Sequence, residues 1–413
     1  MTLRRQPSDF RVDEVLSPQT RQRLSSDGAH AVYALEKTSL TTPDAVNRLA
    51  RELGVRPDQI GYAGLKDKHA QTLQHVSVPI RTGTTPPEHI TPTERSQASE
   101  ETRWSAALVG RLDAPLSSKD IDANRFILIV RDLARETCDE MMRRARLLAI
   151  EGPDGTTGLR IVNYFGAQRF GSARHGGGWI ARALMAGDFE AALRLAIGTP
   201  ARKDSGRLRE LTRACARHWG DWKKLLHAAP RLPESRPLEV LARASATPDF
   251  RKAFAALPGF LQALYLEAYQ SHLWNRTAHE LVREHTSPGS RGPLRSDDEF
   301  GEMIFPIADE IPESLRALEV PLLARKTILA QPWAGAARRV LEREGISTQD
   351  LRVPGVDRPF FGEAPRRFLI DAADVSISAP SPDPLSPKRF CCEATFSLPR
   401  GAYATVVMRA LGQ

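Results

Sequence analysis

The chain has 413 residues, of which 41% are apolar and 26% charged, and its formal net charge is +8. At about 150 residues per domain, this length predicts two to three domains with apolar cores of their own. The longest aliphatic run, Phe126 to Val130, is far shorter than the roughly 20 apolar residues that cross a membrane, so no membrane span is expected. The positive charge favours a polyanionic partner, and nucleic acid is the leading class.

The N-terminal residues and the cysteines favour a cytoplasmic location. The first ten residues carry Arg4 and Arg5 but lack the apolar segment of a signal peptide. Reduced thiols are expected because the four cysteines show no Cys-x-x-Cys spacing. The sequence also contains no phosphate-binding Gly-x-x-x-x-Gly-Lys-Ser/Thr loop. The ten histidines show no His-x-x-x-His spacing and no cysteine cluster accompanies them, so neither a zinc enzyme nor a Ser-His-Asp enzyme is expected. The cysteines are Cys138, Cys215, Cys391 and Cys392.

Strands and helices alternate in the first third of the chain. Period-two patterns predict strands at Asp9 to Leu16, His30 to Lys37 and Leu73 to Ile80. Between the second and third strands, the spacing predicts a helix with Thr42 as its N-terminal cap and Gly54 as its end. Further strands are predicted at Ser105 to Arg111 and Arg125 to Arg131, and a helix at Glu136 to Ile150.

Helical patterns dominate the middle of the chain, from about Trp179 to Glu284, and Thr286 to Glu299 is predicted to be a loop. A strand at Phe390 to Leu398 and a helix at Gly401 to Leu411 follow near the end. This order predicts an α+β domain interrupted by an insertion. Within the helical part, Ala201 to Leu226 has eight Lys/Arg against three Asp/Glu, which fits a solvated helix face or an RNA-binding surface equally well.

One glycine-containing segment carries a carboxylate between two ammonium groups. It runs from Gly61 to Thr72 and contains Lys66, Asp67 and Lys68 in succession. Flanking cations favour the ionised form of a carboxyl group, so Asp67 is a candidate nucleophile. The alternative is a glycine turn with solvated charges.

A second segment, Asn163 to Gly171, combines aromatic, amide and guanidinium side chains. Asn163 can bind a base edge, Phe165 can stack on a base and Arg169 can bind a phosphate. Taken alone, this segment is more typical of a buried aromatic strand end than of a binding site. A third segment, Tyr269 to Asn275, lies on an apolar helix, where core packing is the default interpretation.

Taken together and in chain order, five segments resemble the TruD family of transfer-RNA pseudouridine synthases. The resemblance implies an α+β fold in which the catalytic domain has a central mixed, largely antiparallel sheet. That domain would comprise residues 1–188 and 366–413, and a mostly helical domain typical of the family would be inserted at 189–365. The five segments are Pro7 to Glu14, Gly64 to Ala70, Asn163 to Gly171, Tyr269 to Asn275 and Leu398 to Thr405.

The same resemblance implies an isomerase, an intramolecular transferase that converts uridine in transfer RNA, at position 13, to pseudouridine. Asp67 would be the nucleophile and Lys66 the cation that keeps it ionised, with Lys68 as the alternative cation. The enzyme would need no metal or cofactor and would act as a cytoplasmic monomer on transfer RNA. Residues that would bind the substrate are Phe10, Asn163, Phe165, Arg169 and Tyr403, the last at a position where the family pattern leads us to expect Phe.

Two other functions fit parts of the sequence. A non-catalytic RNA-binding protein or RNA chaperone of the same fold would explain the charge, although the intact Asp67 argues against it. A glycosidase would also break a glycosidic bond, but it needs two carboxyl groups. Apart from Asp67, no acidic residue lies within the two most specific segments, Gly64 to Ala70 and Asn163 to Gly171. The positive charge also favours RNA over a neutral sugar.

Overall fold

The computed structural model describes residues 5–92, 102–152, 155–171, 178–201, 204–244, 247–286 and 290–413. These residues form two compact units. The first comprises the chain up to Ile161 together with Ile370–Gln413, and the second comprises Val162–Leu369. Residues 162–188, which we predicted to belong to the first domain, therefore group with the second unit, while the domain limits implied by the family resemblance stay a prediction.

The strands are β1 Phe10–Leu16, β2 His30–Thr38, β3 Gly61–Tyr62, β4 Gln71–Pro79, β5 His89–Ile90, β6 Arg103–Leu112, β7 Ile121–Leu133, β8 Ala149–Glu151, β9 Thr157–Val162, β10 Leu294–Asp298, β11 Gly301–Phe305, β12 Glu319–Leu322, β13 Ala364–Arg367, β14 Leu369–Ile377, β15 Ser381–Pro382 and β16 Phe390–Pro399.

The helices are α1 Pro18–Arg23, α2 Thr42–Leu53, α3 Arg135–Leu148, α4 Ile180–Met185, α5 Phe189–Gly198, α6 Gly206–His218, α7 Trp222–Ala228, α8 Arg236–Ala242, α9 Phe250–Ala255, α10 Gly259–Glu284, α11 Glu313–Arg316, α12 Ala334–Arg343 and α13 Ala404–Ala410.

A large mixed sheet organises the first unit. Among the described residues it has twelve strands, with the path β5-β6-β2-β4-β1-β7-β16-β14-β9-β8; β3 pairs with β4, and β15 with β16. Strand β1 runs parallel to β4 and antiparallel to β7, while β2 is antiparallel to both β4 and β6. This arrangement confirms the predicted α+β class with a mixed, largely antiparallel sheet. It also brings β1, β4 and β7 side by side, where the candidate site lies.

Helix α2 covers one face of this sheet, and its start corrects one prediction. Thr41, not Thr42, caps the helix, because its Oγ1 accepts a hydrogen bond from the Asp44 backbone N–H at 3.2 Å. The predicted end is confirmed: Gly54 has a φ of +62°, a left-handed conformation that glycine adopts without strain. Thr42 instead points inward, with its hydroxyl donating to Gln74 Oε1 at 2.8 Å.

Helix α10 is the centre of the second unit. Its 26 residues are buried along most of their length, among them Leu266, Tyr269 and Trp274, and α10 packs against α4, α12, β11 and β12. The helical character predicted for about Trp179 to Glu284 is confirmed, since helices α4 to α10 lie in this range.

The segment predicted to be a loop at Thr286 to Glu299 contains strand β10. This prediction was wrong because β10 has few apolar residues, and its backbone pairs with the buried β11 segment around Ile304. Residues 287–289 lie outside the described part of the chain.

The basic stretch Ala201 to Leu226 spans α6 and α7. Its buried positions include Leu211, Cys215 and Leu225, whereas Arg213 and Arg217 are exposed. Residues 202 and 203 lie outside the described part of the chain. The cationic side chains of the stretch that the structure describes are exposed, as both interpretations of the stretch require.

Within the described ranges, no helix is long and apolar enough to cross a membrane.

Candidate active site

Asp67 lies on the loop that connects β3 to β4. Its side chain is exposed, as are those of its neighbours Lys68 and His69, whereas Ala70 is fully buried where β4 begins. Leu65 on the same loop is 70% exposed, which is unusual for a large apolar side chain. The loop thus presents a carboxylate and an apolar surface to solvent together.

Buried groups hold the backbone of this loop on two sides. The Lys66 backbone N–H donates to Thr42 Oγ1 at 2.9 Å, and Lys37 Nζ donates to the Asp67 carbonyl oxygen at 3.0 Å. Lys37 is 1% exposed and also donates to the Leu40 carbonyl at 2.8 Å. Because Lys37 lies on the sheet and Thr42 on α2, the position of the Asp67 backbone is set by the fold rather than by the loop alone.

The ammonium group of Lys66 forms an ion pair with a buried glutamate. Its Nζ lies 2.6 Å from Glu14 Oε1 and donates to Asn124 Oδ1 at 2.9 Å. The register of β1 and β7 pairs Glu14 with Asn124, which explains why both side chains reach the same ammonium. The other Glu14 oxygen accepts the His75 backbone N–H at 2.8 Å. Lys66 therefore has Glu14 as its ion-pair partner, while its predicted action on Asp67 stays a prediction.

Burial shapes the charges around the loop. It lowers the pKa of Lys37 to about 8; the nearby Asp67 carboxylate opposes this shift, and Lys66 adds to it. Burial also lowers the pKa of His75 to about 4, with a further contribution from Lys66. At neutral pH His75 is consequently uncharged, whereas Lys37 lies close enough to Asp67 for their charges to interact.

The two predicted aromatic residues of the first unit differ in exposure. Phe10 is 4% exposed and packs edge-on against Phe126 at 6.2 Å between ring centroids, and Phe126 in turn contacts Phe396 at 5.7 Å. Tyr403 is half-buried and immediately precedes α13. Phe10 thus belongs to an aromatic row on the sheet, whereas Tyr403 retains accessible surface.

In the second unit, Arg366 holds Asn163 and Phe165. Its guanidinium donates to the Asn163 carbonyl at 2.9 Å and to Asn163 Oδ1 at 2.7 Å, and its Cζ lies 3.8 Å from the centre of the Phe165 ring. Asn163 Nδ2 donates to the Arg367 carbonyl at 3.1 Å. The amide is therefore oriented by two neighbours, and the ring is covered by a cation.

Two predicted segments meet at Asn275. Its side-chain oxygen accepts the Phe165 backbone N–H at 2.8 Å, and its Nδ2 donates to the Phe165 carbonyl at 2.9 Å. Arg169 forms an ion pair with Glu267 at 2.6 Å and donates to Ser271 Oγ at 3.2 Å. The core helix α10 thus fixes the Asn163 to Gly171 segment through polar side chains, in addition to its packing role.

The predicted site residues fall into two groups. Phe10, Lys66, Asp67 and Tyr403 belong to the first unit; Asn163, Phe165 and Arg169 belong to the second.

Four further residues hold these groups in place, although the sequence analysis gave none of them a role in the site. They are Glu14, Lys37, Thr42 and Arg366. Glu14 and Lys37 carried a detectable signal, because each is a charged residue at an inward position of a strand with alternating burial.

Comparison with known proteins identifies the family. A family model described as tRNA pseudouridine synthase D (TruD) matches residues 1–411. A tRNA pseudouridine synthase D from Anaeromyxobacter dehalogenans is 31% identical, with 99% of this chain and 92% of that protein covered. A probable tRNA pseudouridine synthase D from Methanopyrus kandleri is 30% identical, with coverage of 95% and 88%.

A solved structure supports the fold. The crystal structure of the putative tRNA pseudouridine synthase D from Methanosarcina mazei aligns with a TM-score of 0.67 at 22% identity and covers 99% of this chain and 92% of that one. The family match extends over nearly the whole chain and includes both described units. The chain therefore belongs to the tRNA pseudouridine synthase D family, whose members are isomerases.

Proposed function

We propose that this protein converts uridine at position 13 of transfer RNA to pseudouridine and that the Asp67 carboxylate is the group that starts the reaction. The observation that carries the proposal is the setting of Asp67: its side chain is exposed, while buried Lys37 and Thr42 fix the backbone at residues 66 and 67. Support from buried residues is typical of a reactive group that must be held in one position relative to its substrate.

The reaction rearranges one glycosidic bond. The bond between N1 of uracil and C1′ of ribose breaks, the uracil turns within the site, and a bond forms between C5 and C1′. The C5 proton leaves to solvent, and N1 ends with a proton, so that atoms and electrons balance. A carboxylate can start this sequence by attacking C1′ or C6, or by removing the C2′ proton.

The base must leave the folded RNA to reach a protein carboxylate, which costs about a few kcal/mol of stacking and pairing. We propose that Phe10, Phe165 and Tyr403 contact the extruded uracil and that Asn163 hydrogen-bonds its edge. An amide has two N–H groups and two acceptor positions, so Asn163 retains bonding capacity beyond its contacts with Arg366 and Arg367. Arg169, partly exposed beside Glu267, would order the site or contact the RNA backbone.

The partner follows from the same chemistry. The chain has 58 Lys and Arg against 50 Asp and Glu. This excess favours a polyanionic partner, because cationic side chains that contact it release condensed counterions and so increase the binding affinity. The exposed Arg213 and Arg217 on α6 are available for phosphate contacts. We propose transfer RNA as this partner; the cytoplasmic location and the monomeric state stay predictions.

The activity is tested with transfer RNA that carries tritium at C5 of its uridines. The protein should release tritium to water in proportion to the pseudouridine mapped at position 13, and a transcript with cytidine at that position should release none by this route. Binding without tritium release would favour the non-catalytic RNA-binding alternative. Release with pseudouridine at another position would contradict the proposed site in the RNA.

Arg366 offers a test of the base-binding segment. Arg366→Lys keeps the charge but loses the planar fork that contacts the Asn163 amide and covers the Phe165 ring. We expect the KM for transfer RNA to rise about tenfold, which corresponds to ~1.4 kcal/mol, with a smaller effect on protein stability. The matched control is Arg367→Lys, since Arg367 is exposed and engages Asn163 only through its backbone carbonyl among the contacts described above. Equal KM values for the two variants would contradict this role.

A further inference from the structure

Lys37 is a buried charged residue at an inward position of β2. It is 1% exposed, between the exposed Glu36 and the half-buried Thr38. Removing an ammonium group from water costs several kcal/mol unless other groups compensate. A lysine at such a position therefore needs a reason other than stability.

The contacts of Lys37 connect two loops. Its Nζ donates to the Leu40 carbonyl at 2.8 Å, in the turn that leads to α2, and to the Asp67 carbonyl at 3.0 Å. The two acceptors are backbone oxygens, so these bonds fix the course of the chain rather than a side-chain rotamer. The second bond acts at the residue to which the proposed function assigns the chemistry.

The charge of Lys37 acts on the same residue. The Asp67 carboxylate is close enough to raise the pKa of Lys37 against the effect of burial, and Lys66 is close enough to lower it. Lys66 is itself paired with Glu14 at 2.6 Å. Part of its positive charge is thereby neutralised, whereas the two acceptors named for Lys37 are uncharged carbonyls.

We propose that Lys37 is a positioning residue for the reaction: it fixes the backbone of Asp67 and places a positive charge close to the reacting carboxylate. This inference rests on the proposed function of Asp67. The family resemblance named Lys66 as the cationic partner of Asp67, and this inference adds Lys37 as a second cation near that carboxylate. In this view, the main task of Lys66 is to join the loop to Glu14 and Asn124.

The two effects of Lys37, its hydrogen bonds and its charge, can be separated by experiment. A neutral Lys37 amine still has two N–H groups, which are enough for the Leu40 and Asp67 carbonyls. Deprotonation of Lys37 would remove only its charge. The charged groups that the structure places near it are Asp67, which holds the proton on Lys37, and Lys66, which favours its release. We expect kcat/KM of the wild-type enzyme to fall as the pH rises through about 8.

The experiment compares Lys37→Met with the wild-type enzyme between about pH 6.5 and 9. Methionine has similar length without charge, but it leaves the Leu40 and Asp67 carbonyls without this donor, so the variant should unfold at a somewhat lower temperature. We expect its kcat to fall ~10- to 100-fold, as for a small displacement of a reacting group, with the KM for transfer RNA within about twofold. The remaining activity should no longer fall above pH 8. Glu36→Gln, an exposed neighbour on the same strand, should change none of these quantities.

Two further measurements keep the inference testable. Lys37→Arg retains a charge that does not titrate in this range, so the variant should keep more activity than Lys37→Met and lose the alkaline decrease. If neither variant folds, a wild-type kcat/KM that stays constant to pH 9 overturns the inference. Wild-type kcat in a folded Lys37→Met variant also overturns it, whereas wild-type activity in Asp67→Asn would overturn the role that the proposed function gives to Asp67.

Discussion

Replacing Asp67 with asparagine should abolish pseudouridine formation and leave transfer-RNA binding intact. The substitution keeps the size and polarity of the side chain and removes its negative charge, and the Lys37 contact to the backbone carbonyl of this residue persists. A neutral amide is neither a nucleophile nor a base at C1′, C6 or C2′. We expect single-turnover tritium release to fall at least about 10³-fold, with less than a twofold change in the dissociation constant for transfer RNA.

The matched control is Asp58→Asn, which makes the same chemical change at a carboxylate that is 69% exposed and pairs with Arg56. This variant should retain wild-type activity, because surface ion pairs contribute little. If Asp67→Asn lost only ~10²-fold or less, Asp67 would be a supporting group and not the nucleophile. Loss of RNA binding together with activity would instead indicate a structural role for the loop.

Replacing Glu14 with glutamine should produce the largest loss of stability among the variants considered. The Glu14 side chain is 1% exposed, forms the ion pair with Lys66 and accepts the His75 backbone N–H. Removing its charge leaves the Lys66 ammonium, 12% exposed, without its buried counterion. Breaking one side of a buried pair in this way costs about 3 kcal/mol or more. Denaturant unfolding should show a lower midpoint with an unchanged slope.

Asp13→Asn is the control for this variant, because Asp13 is adjacent on β1 and pairs with Arg11 at the less buried face of the strand. A second variant identifies the cause: Glu14→Gln combined with Lys66→Met removes the unpaired ammonium and should recover part of the lost stability. It should not recover activity, because the loop has lost both of its side-chain anchors at residue 66. A Glu14→Gln protein as stable as the wild type would show that the ion pair between Glu14 and Lys66 makes no net contribution to the free energy of unfolding.

Local sequence patterns were enough to predict most elements of the first unit. The alternation in Phe10–Leu16 and in Phe390–Pro399, and the apolar positions of Thr42–Leu53, matched the observed burial. Such patterns depend on neighbours within a few residues. The cap of α2 was misassigned by one position because Thr41 and Thr42 are both good caps, and only the contact of Thr42 with Gln74 in β4 distinguishes them.

The sequence by itself therefore determined the family, the α+β class and the loop that carries Asp67, since each is written in short segments of the chain. Tertiary structure alone decided which groups the charged side chains contact. Lys66 finds Glu14 because the register of three strands brings them together, Lys37 reaches a carbonyl 30 residues away, and Arg366 contacts an amide 203 residues away. Local periodicity contains no information about partners at such separations, because strand pairing and chain folding determine them.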